Sequence, residues 1–181
     1  MELNCKNYSN FQRIGNGTYG TVYRAKNKKN GLYVSIKEII KDRFDEPKEI
    51  LKREVDIMKK MENENSVNLK EYIESNDYYY IIMDYCEYYL ETFLKQKREK
   101  PFSINEVKEV LNQLNNTFKL MFKEKIIHRD LKSSNILISL DKLDKNIVKL
   151  SDYGWSKIMN TQLKSFANTL LTIAPEVLKN E

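Results

Sequence analysis

Several residue types are scarce in this sequence, and their scarcity narrows the class of protein. Its 181 residues include only two cysteines, three prolines, five glycines and one histidine. Cys5 and Cys86 form neither a metal-binding spacing nor a disulfide framework, which is typical of a reducing compartment. No apolar run approaches the roughly 20 residues that cross a bilayer, and the first ten residues lack the apolar segment of a secretory signal. We therefore expect an intracellular protein, cytoplasmic or nuclear, without a membrane partner.

The residues that are abundant indicate a globular chain with a mixed surface. Hydrophobic residues make up 41% of the sequence, which is enough for a core in one large or two small units. The net charge of +5 comes mostly from lysines interleaved with acids, a pattern typical of solvated helix faces. Nucleic-acid binding has no zinc-finger, RRM or KH pattern behind it, so we expect no nucleic-acid partner. A basic surface is equally suited to acidic ligands such as nucleotide phosphates.

The first third of the chain is predicted to be rich in strands. Three runs, joined by a glycine-containing turn and by Asn30-Gly31, follow one another like hairpins: FQRIG, TYGTVYRAK and LYVSIKEII. From Pro47 the apolar residues recur at helical spacing instead. Two more extended runs come next, SVNLKEYIES and DYYYIIMDYC, joined by an Asn76-Asp77 turn. The pattern therefore predicts five strands, with one helix before the fourth.

Beyond residue 90 the pattern becomes helical. Ser103 and Glu106 form a capping box, which predicts a helix that ends near residues 123–125. Its apolar residues form one stripe: Val107, Val110, Leu111, Leu114, Phe118 and Met121. After this helix, NILIS and IVKLS are predicted to pair as a short hairpin. We expect a hinge between a β-rich half and a helical half near residues 84–89.

Three glycines in GNGTYGTV, namely Gly15, Gly17 and Gly20, have the G-x-G-x-x-G spacing of phosphate-binding loops. Without a Cβ, glycine lets backbone amides approach phosphate oxygens closely. A glycine-rich hairpin turn would have the same sequence, so this motif alone leaves both interpretations open. A dinucleotide-binding fingerprint is excluded, because it needs a helix directly after the glycines and TVYRAK continues as a strand.

Lys37 and Glu54 are a second candidate pair. Lys37 is the last residue of the motif VSIK on a β-branched strand, and an exposed side chain is the commonest outcome for a lysine. Glu54 lies four residues after Ile50 and four before Met58, so it shares a helix face with apolar side chains. A carboxylate on such a face needs a cationic partner. Lys37 is the expected partner, and the pair beside a glycine-rich loop is suited to holding phosphates.

The segment KIIHRDLKSSNILIS, residues 125–139, packs polar residues between two apolar runs. Asp130 could accept the proton of an attacking hydroxyl, and the amide oxygen of Asn135 could ligate Mg²⁺. Lys132 could neutralise charge on a transferred phosphoryl group. Asp152 follows an apolar strand and precedes a glycine, so it could supply a second oxygen ligand. Each aspartate alone is more often a turn residue, and the interpretation depends on their conjunction.

Six motifs together resemble the successive signatures of eukaryotic protein kinases, in the order of that family: GNGTYGTV, VSIK, KREV, HRDLKSSN, SDYG and APEVL. The resemblance extends from about residue 11 to the end of the chain. It implies an α+β fold of two lobes, in which a β-rich N-lobe with one long helix precedes a mainly helical, truncated C-lobe. We assign residues 1–84 to the N-lobe and residues 85–181 to the hinge and partial C-lobe.

The resemblance implies that ATP and Mg²⁺ bind between the lobes. Met83 would be the gatekeeper, and Asp84 and Cys86 would offer backbone groups to adenine. Asn135 and Asp152 would bind Mg²⁺. The implied nucleotide-binding residues are Ile14, Gly15, Asn16, Gly17, Thr18, Gly20, Val22, Ser35, Lys37, Met83, Asp84, Cys86 and Leu137.

The resemblance also implies catalytic roles. Asp130 would orient the substrate hydroxyl, and Lys132 would steady the γ-phosphate. Glu54 would brace Lys37 on the α- and β-phosphates. Lys132 and Thr169 match the Ser/Thr-specific form of the family, in which Thr169 supports Asp130. The implied substrate is a protein with a Ser or Thr hydroxyl.

Two further roles come from the resemblance. His128 would stack in an apolar spine that joins the lobes, with Tyr153, Met58 and Leu69. Arg129 is typical of kinases whose activation loop is ordered by phosphorylation, through arginine–phosphate bonds. An upstream activating kinase is then an expected partner, and Ser165 is the preferred acceptor, with Thr161 second.

The sequence departs from the family pattern in three notable places. Ser35 puts a hydroxyl near the expected adenine position, and Tyr153 in place of phenylalanine is interpreted as a mild change. Only VLKNE follows the APE motif, so we expect either a fragment of a longer kinase or a truncated product with weakened activity. The alternative function is a truncated or inactive pseudokinase that binds nucleotide and acts as a regulatory module.

Overall fold

The computed structural model describes residues 6–17, 20–41, 47–96, 102–141, 143 and 145–158. Its strands are β1 (Tyr8–Gly17), β2 (Gly20–Asn27), β3 (Tyr33–Ile40), β4 (Leu69–Glu74), β5 (Tyr78–Asp84), β6 (Tyr88–Tyr89), β7 (Ile126–Ile127), β8 (Ile136–Leu140), β9 (Asn146–Leu150) and β10 (Lys157–Ile158). Its helices are α1 (Pro47–Lys60), α2 (Leu90–Gln96) and α3 (Ile104–Lys123), and short 3₁₀ turns cover Ser133–Asn135 and Tyr153–Trp155. Four predicted site residues lie outside the described residues: Thr18, Thr161, Ser165 and Thr169.

The first five strands form one antiparallel sheet in the order β1-β2-β3-β5-β4. Its central strands are β3 and β5, in which Ile36, Ile81 and Ile82 are completely buried. Between β2 and β3 the chain turns at Gly31, whose φ of 73° favours glycine. The predicted succession of three strands, a helix and two strands is therefore confirmed.

The main core joins this sheet to the second half of the chain. α1 contributes Leu51, Val55 and Met58, and α3 contributes Leu114 and Met121 to the same cluster. The loop after α1 is also bonded to β9 through its backbone, since Val67 donates to Leu150 and Leu150 donates to Asn65, both at 2.9 Å. α1 is thus held against both halves of the molecule.

α3 begins with the predicted capping box. Ser103 accepts a hydrogen bond from the backbone of Glu106, whose carboxylate in turn accepts from the backbone of Ser103. The predicted apolar stripe is only partly right. Leu114 and Met121 are buried, whereas Val107 and Leu111 are 42% and 56% exposed because no described element covers the first turns of that face.

The second half contains the predicted hairpin and a short third strand beside it. β8 pairs with β9, and β6 pairs with the other edge of β8. β7 and β10 form a separate two-stranded pair. With a five-stranded sheet and α1 on one side of residue 84, and α2 and α3 on the other, the fold is α+β with two lobes. Among the described helices, none is long and apolar enough to span a membrane.

Candidate active site

A cavity of about 380 Å³ lies between the five-stranded sheet and the β8–β9 hairpin. Residues predicted from sequence line it from both sides: Ile14, Gly15, Asn16, Val22, Ser35, Lys37, Glu54, Met83, Asp84, Cys86, Lys132, Asn135, Leu137 and Asp152. Of the other described candidates, Gly17 pairs with Gly20 at the tip of the β1–β2 hairpin, and Asp130 is buried next to Lys132. The fold therefore brings distant sequence motifs to one cleft.

Lys37 and Glu54 form the predicted ion pair. The ammonium of Lys37 lies 2.7 Å from Oε1 and 3.0 Å from Oε2 of Glu54. Both residues are buried, at 8% and 5% exposure, because β3 and α1 turn these side chains inward. Two buried opposite charges with two close contacts satisfy one another. The pair supplies a fixed positive end facing the cavity.

Asp130 receives contacts from two neighbours on its own loop. The amide nitrogen of Asn135 donates to the backbone oxygen of Asp130 at 2.8 Å and to its Oδ2 at 2.9 Å. The ammonium of Lys132 lies 2.8 Å from the same Oδ2. Because the amide nitrogen of Asn135 is committed to Asp130, its amide oxygen is the group left to act as a ligand. Asp130, Lys132 and Asn135 are thus brought together as predicted.

His128 joins this loop to the segment that carries Asp152. Its Nε2 lies 2.9 Å from the backbone oxygen of Ser151, and its Nδ1 accepts from the backbone nitrogen of Asp130 at 3.3 Å. Burial lowers the pKa of His128, which favours the neutral ring. Because the carbonyl oxygen of Ser151 can only accept, the proton of the neutral ring lies on Nε2. The predicted packing against Tyr153 is confirmed, with ring centroids 5.5 Å apart. Met58 and Tyr153 belong to one buried core cluster, and the partly buried Leu69 packs against it.

Asp152, which lines the cavity, has a strained backbone. Its φ of 63° and ψ of 71° lie in the left-handed region, which is unusual for a residue other than glycine. Two residues further on, Gly154 leaves space beside Asp152, since a Cβ on Gly154 would lie 3.3 Å from Oδ1 of Asp152 and 3.5 Å from Oε2 of Glu54. Strain of this kind is commonly retained where it aims a functional group.

The donor set at this end of the cavity fits Mg²⁺. Asn135 and Asp152 both line the cavity and carry hard oxygens, and Mg²⁺ usually takes one or two protein ligands together with substrate phosphates. Within the described part of the chain, no group of three His, Cys, Asp or Glu residues could hold a metal ion by itself. The residues present therefore suit a cation that arrives with a phosphate ligand.

The glycines of the β1–β2 hairpin differ in how much space surrounds their Cα atoms. A Cβ on Gly20 would overlap the backbone oxygen of Glu38 on β3, so Gly20 is required for strand packing. A Cβ on Gly15 would lie 3.9 Å from the hydroxyl of Tyr89, which is ordinary contact. The sequence interpretation, in which all three glycines serve close approach to phosphate, does not account for Gly20.

The hinge presents a buried network next to the cavity. The backbone nitrogen of Asp84 donates to the backbone oxygen of Asn68 at 3.0 Å. The carboxylate of Asp84 lies 2.6 Å from the ammonium of Lys70 and 3.1 Å from that of Lys149. Burial raises the pKa of Cys86 to about 12, so its thiol stays protonated.

Sequence reasoning missed three residues that organise this site. Ser66 and Lys149 are buried polar residues that contact Tyr153 and Asp84, and Tyr89 lines the cavity. The sequence indicated one of these contacts only through Tyr153, because a buried tyrosine in place of phenylalanine needs a hydrogen-bond partner for its hydroxyl. Nothing local in the sequence identified that partner.

A β-rich lobe with a lysine–glutamate pair, facing a hairpin lobe with an Asp-x-Lys loop, defines the two-lobed kinase class of fold. The protein kinase domain family matches residues 8–181, and the chain belongs to that family.

Several kinases of known sequence are similar to the chain. Cell division control protein 2 homolog 3 of Trypanosoma brucei brucei is 34% identical, covering 96% of this chain and 56% of the relative. Calcium-dependent protein kinase 5 of Plasmodium berghei (strain Anka) is 39% identical, covering 93% and 30%. Cyclin-dependent kinase 9 of Homo sapiens is 32% identical, covering 96% and 50%. The chain thus spans 30% to 56% of the length of these relatives.

Proposed function

We propose that this chain carries the active site of a protein Ser/Thr kinase, which transfers the γ-phosphate of ATP to Ser or Thr hydroxyls. One observation carries the proposal: charged and amide groups from both lobes line a single cavity. Lys37 and Glu54 come from the sheet lobe, whereas Lys132, Asn135 and Asp152 come from the hairpin lobe. A cleft with this charge pattern is suited to phosphates and a divalent cation.

Each side chain has a role that follows from its contacts. Lys37, held by Glu54, binds phosphate oxygens with a charge that cannot swing away. The oxygen of the substrate hydroxyl bonds to the γ-phosphorus of ATP as the bond from that phosphorus to ADP breaks. Asp130 accepts the proton that the hydroxyl loses. Lys132 offsets the charge of the transferred group, while Asn135 and Asp152 provide oxygens for Mg²⁺. When bound, ATP supplies the phosphoryl group and Mg²⁺ neutralises its charge.

The acceptor class rests on the form of the catalytic loop. Lys132 stands two residues after Asp130 and forms an ion pair with it at 2.8 Å. This arrangement resembles the Ser/Thr form of the family, and relatives with the names cyclin-dependent and calcium-dependent kinase support the assignment. Thr169 is proposed to support Asp130. A cytoplasmic or nuclear location is proposed from the cysteine pattern.

Regulation by phosphorylation is proposed for the segment that follows the described residues. Burial lowers the pKa of Arg129, and the positive charge of Arg53 lowers it further, so the two guanidinium groups interact electrostatically. Nε of Arg53 is buried without a hydrogen-bond partner among the described residues. Two neighbouring guanidinium groups are suited to a phosphate. Ser165 is the proposed acceptor, with Thr161 second, and an upstream kinase is the proposed partner.

The test is transfer of ³²P from ATP to a generic protein substrate, with identification of the labelled amino acid. We expect label on Ser and Thr with the wild-type chain, and none with Asp130→Asn. Asp77→Asn is the matched control, because Asp77 is an exposed turn residue. Equal transfer by wild type and Asp130→Asn would overturn the catalytic role. Thermal stabilisation by Mg-ATP without any transfer would favour the alternative, a nucleotide-binding pseudokinase.

A further inference from the structure

The hydroxyl groups of Tyr153 and Ser66 lie 2.7 Å apart in the interior, although 87 residues separate them in sequence. Each residue is only 1% exposed, so water does not reach the pair. A buried hydroxyl without a partner is destabilising, and here each hydroxyl serves as partner for the other. Burial raises the pKa of Tyr153 to about 12, so the phenol keeps its proton at neutral pH.

Ser66 is itself a fixed point. Its backbone nitrogen donates to Asn63 at 3.3 Å, and it forms an isolated bridge with Leu150. Its backbone oxygen accepts from the ammonium of Lys149 at 3.2 Å. A side chain that bonds to Ser66 is therefore anchored to the loop after α1 and to β9 together.

The backbone at Asp152, in the hairpin lobe, needs such an anchor. Its left-handed conformation, with a φ of 63°, is less favourable for an aspartate than an extended or right-handed one. On one side, the backbone nitrogen and the hydroxyl of Ser151 both donate to Asn135, each at 2.9 Å. On the other side, the side-chain hydrogen bond is that of Tyr153 to Ser66. The strained residue thus lies between two attachment points.

We propose that the Tyr153 hydroxyl is a positioning group, whose bond to Ser66 holds the Asp152 carboxylate in the orientation that the Mg²⁺ site requires. The inference rests on the proposed function, because it assigns Asp152 to the metal. A phenylalanine keeps the ring packing against His128 and loses the anchor. The Asp152 turn is then freer to relax out of its left-handed conformation, which moves the carboxylate away from the cavity.

Two variants remove the bond, and a third is the matched control. Tyr153→Phe and Ser66→Ala each delete one hydroxyl of the pair. Tyr8→Phe also deletes the hydroxyl of a buried tyrosine. Tyr8 lies on β1, an outer strand of the sheet, and its hydroxyl donates to Glu71 at 2.9 Å. All three are expected to lower the free energy of unfolding by similar amounts, so stability alone does not distinguish them.

The first readout is amide hydrogen exchange of residues 151–156 in the protein without nucleotide. We expect faster exchange at this turn in Tyr153→Phe and in Ser66→Ala, no further increase in the double variant, and wild-type exchange in Tyr8→Phe. Unchanged exchange at the turn in Tyr153→Phe overturns the proposal, and this readout does not require the chain to bind nucleotide.

The second readout is the ratio of the Kd for ATP without metal to the Kd with Mg²⁺. We expect this ratio to fall about 3- to 10-fold in the two variants, the effect of one buried hydrogen bond, while the metal-free Kd is unchanged. A ratio equal to that of Tyr8→Phe contradicts the positioning role. Failure of the proposed function is a separate result, in which the wild-type chain binds no ATP under either condition.

Discussion

The ammonium of Lys149 lies 3.1 Å from Oδ2 of Asp84, and this contact ties the hinge to the strand that leads to Asp152. The same ammonium donates to the backbone oxygens of Glu64 at 2.8 Å and Ser66 at 3.2 Å. All three of its protons therefore have acceptors on segments that are distant in sequence. One buried cation organises the junction between the loop after α1, the hinge and β9.

Replacing Lys149 is expected to destabilise the protein, although Lys149 has no proposed role in catalysis. Lys149→Met keeps much of the side-chain volume but leaves a carboxylate and two carbonyl groups short of a donor. We expect the free energy of unfolding in urea to fall by about 3 kcal/mol, as for other broken buried ion pairs. Lys119→Met, at an exposed position on α3, is the control. Equal midpoints for the two variants would show that the network contributes little.

The same network makes the free energy of unfolding depend on pH in the acidic range. Burial by itself would raise the pKa of Asp84, but the hydrogen bond from Lys70, the charge of Lys149 and the Asn68 amide outweigh it. The pKa of Asp84 therefore lies below its ordinary value of 3.8. A carboxyl whose pKa is lowered by folding stabilises the folded state at pH values above its unfolded-state pKa. This contribution is lost as the pH falls through the folded-state pKa.

Asp84→Asn is expected to reveal this dependence. The stability difference between wild type and the variant should be largest near about pH 6 and should shrink as the pH approaches about 3. Urea unfolding at several pH values measures the difference. Asp56→Asn, at an exposed position on α1, should show no such change. A difference between wild type and Asp84→Asn that is constant with pH would contradict the assigned direction.

Local patterns explain which features could be predicted from the sequence. The capping box of Ser103 and Glu106 lies within one helical turn, and the hairpins follow from alternation and turn residues. The partner of Glu54 could be predicted because a carboxylate on an apolar helix face requires a cation, and Lys37 lies within a neighbouring buried strand. In each case the physical requirement is visible in a few residues.

The missed features depend on contacts between distant segments. Ser66 and Tyr153 are 87 residues apart, and Lys149 and Asp84 are 65 residues apart. A serine or a lysine has no local property that announces such a partner, since most residues of these types are exposed. The packing role of Gly20 likewise depends on how closely β3 approaches, which no spacing of glycines reveals.

Glu54→Gln tests the brace on Lys37. The amide keeps the shape of the carboxylate but removes its charge, so the ammonium is held less firmly. Since single electrostatic contacts of this kind affect rates about 100- to 1,000-fold, we expect phosphotransfer to fall within that range. The double variant Glu54→Gln, Lys37→Met should be no worse than Lys37→Met alone, because the two residues act as one unit. If ³²P transfer shows that the losses of the two single variants add in the double variant, the two residues do not act as one unit.

Ser103→Ala tests the beginning of α3. The change removes the acceptor of the Glu106 backbone hydrogen bond and breaks the capping box. We expect the free energy of unfolding to fall by about 1 kcal/mol. Ser103→Thr keeps the hydroxyl and should stay within a few tenths of a kcal/mol of wild type, on the order expected for alternative caps. An alanine variant as stable as the threonine variant would mean that the cap is not used in solution.

The glycines of the β1–β2 hairpin separate packing from ligand contact. At Gly20 a methyl group would overlap the backbone oxygen of Glu38, so Gly20→Ala should force the strands apart and lower stability by about 1–3 kcal/mol. At Gly15 a methyl group has room in the protein but projects near the cavity, so Gly15→Ala should leave stability almost unchanged and weaken nucleotide binding several-fold. Urea unfolding and ATP titration of both variants measure the two effects. If Gly15→Ala lowers stability as much as Gly20→Ala and leaves the Kd for ATP unchanged, the hairpin is a structural turn rather than a phosphate-binding loop.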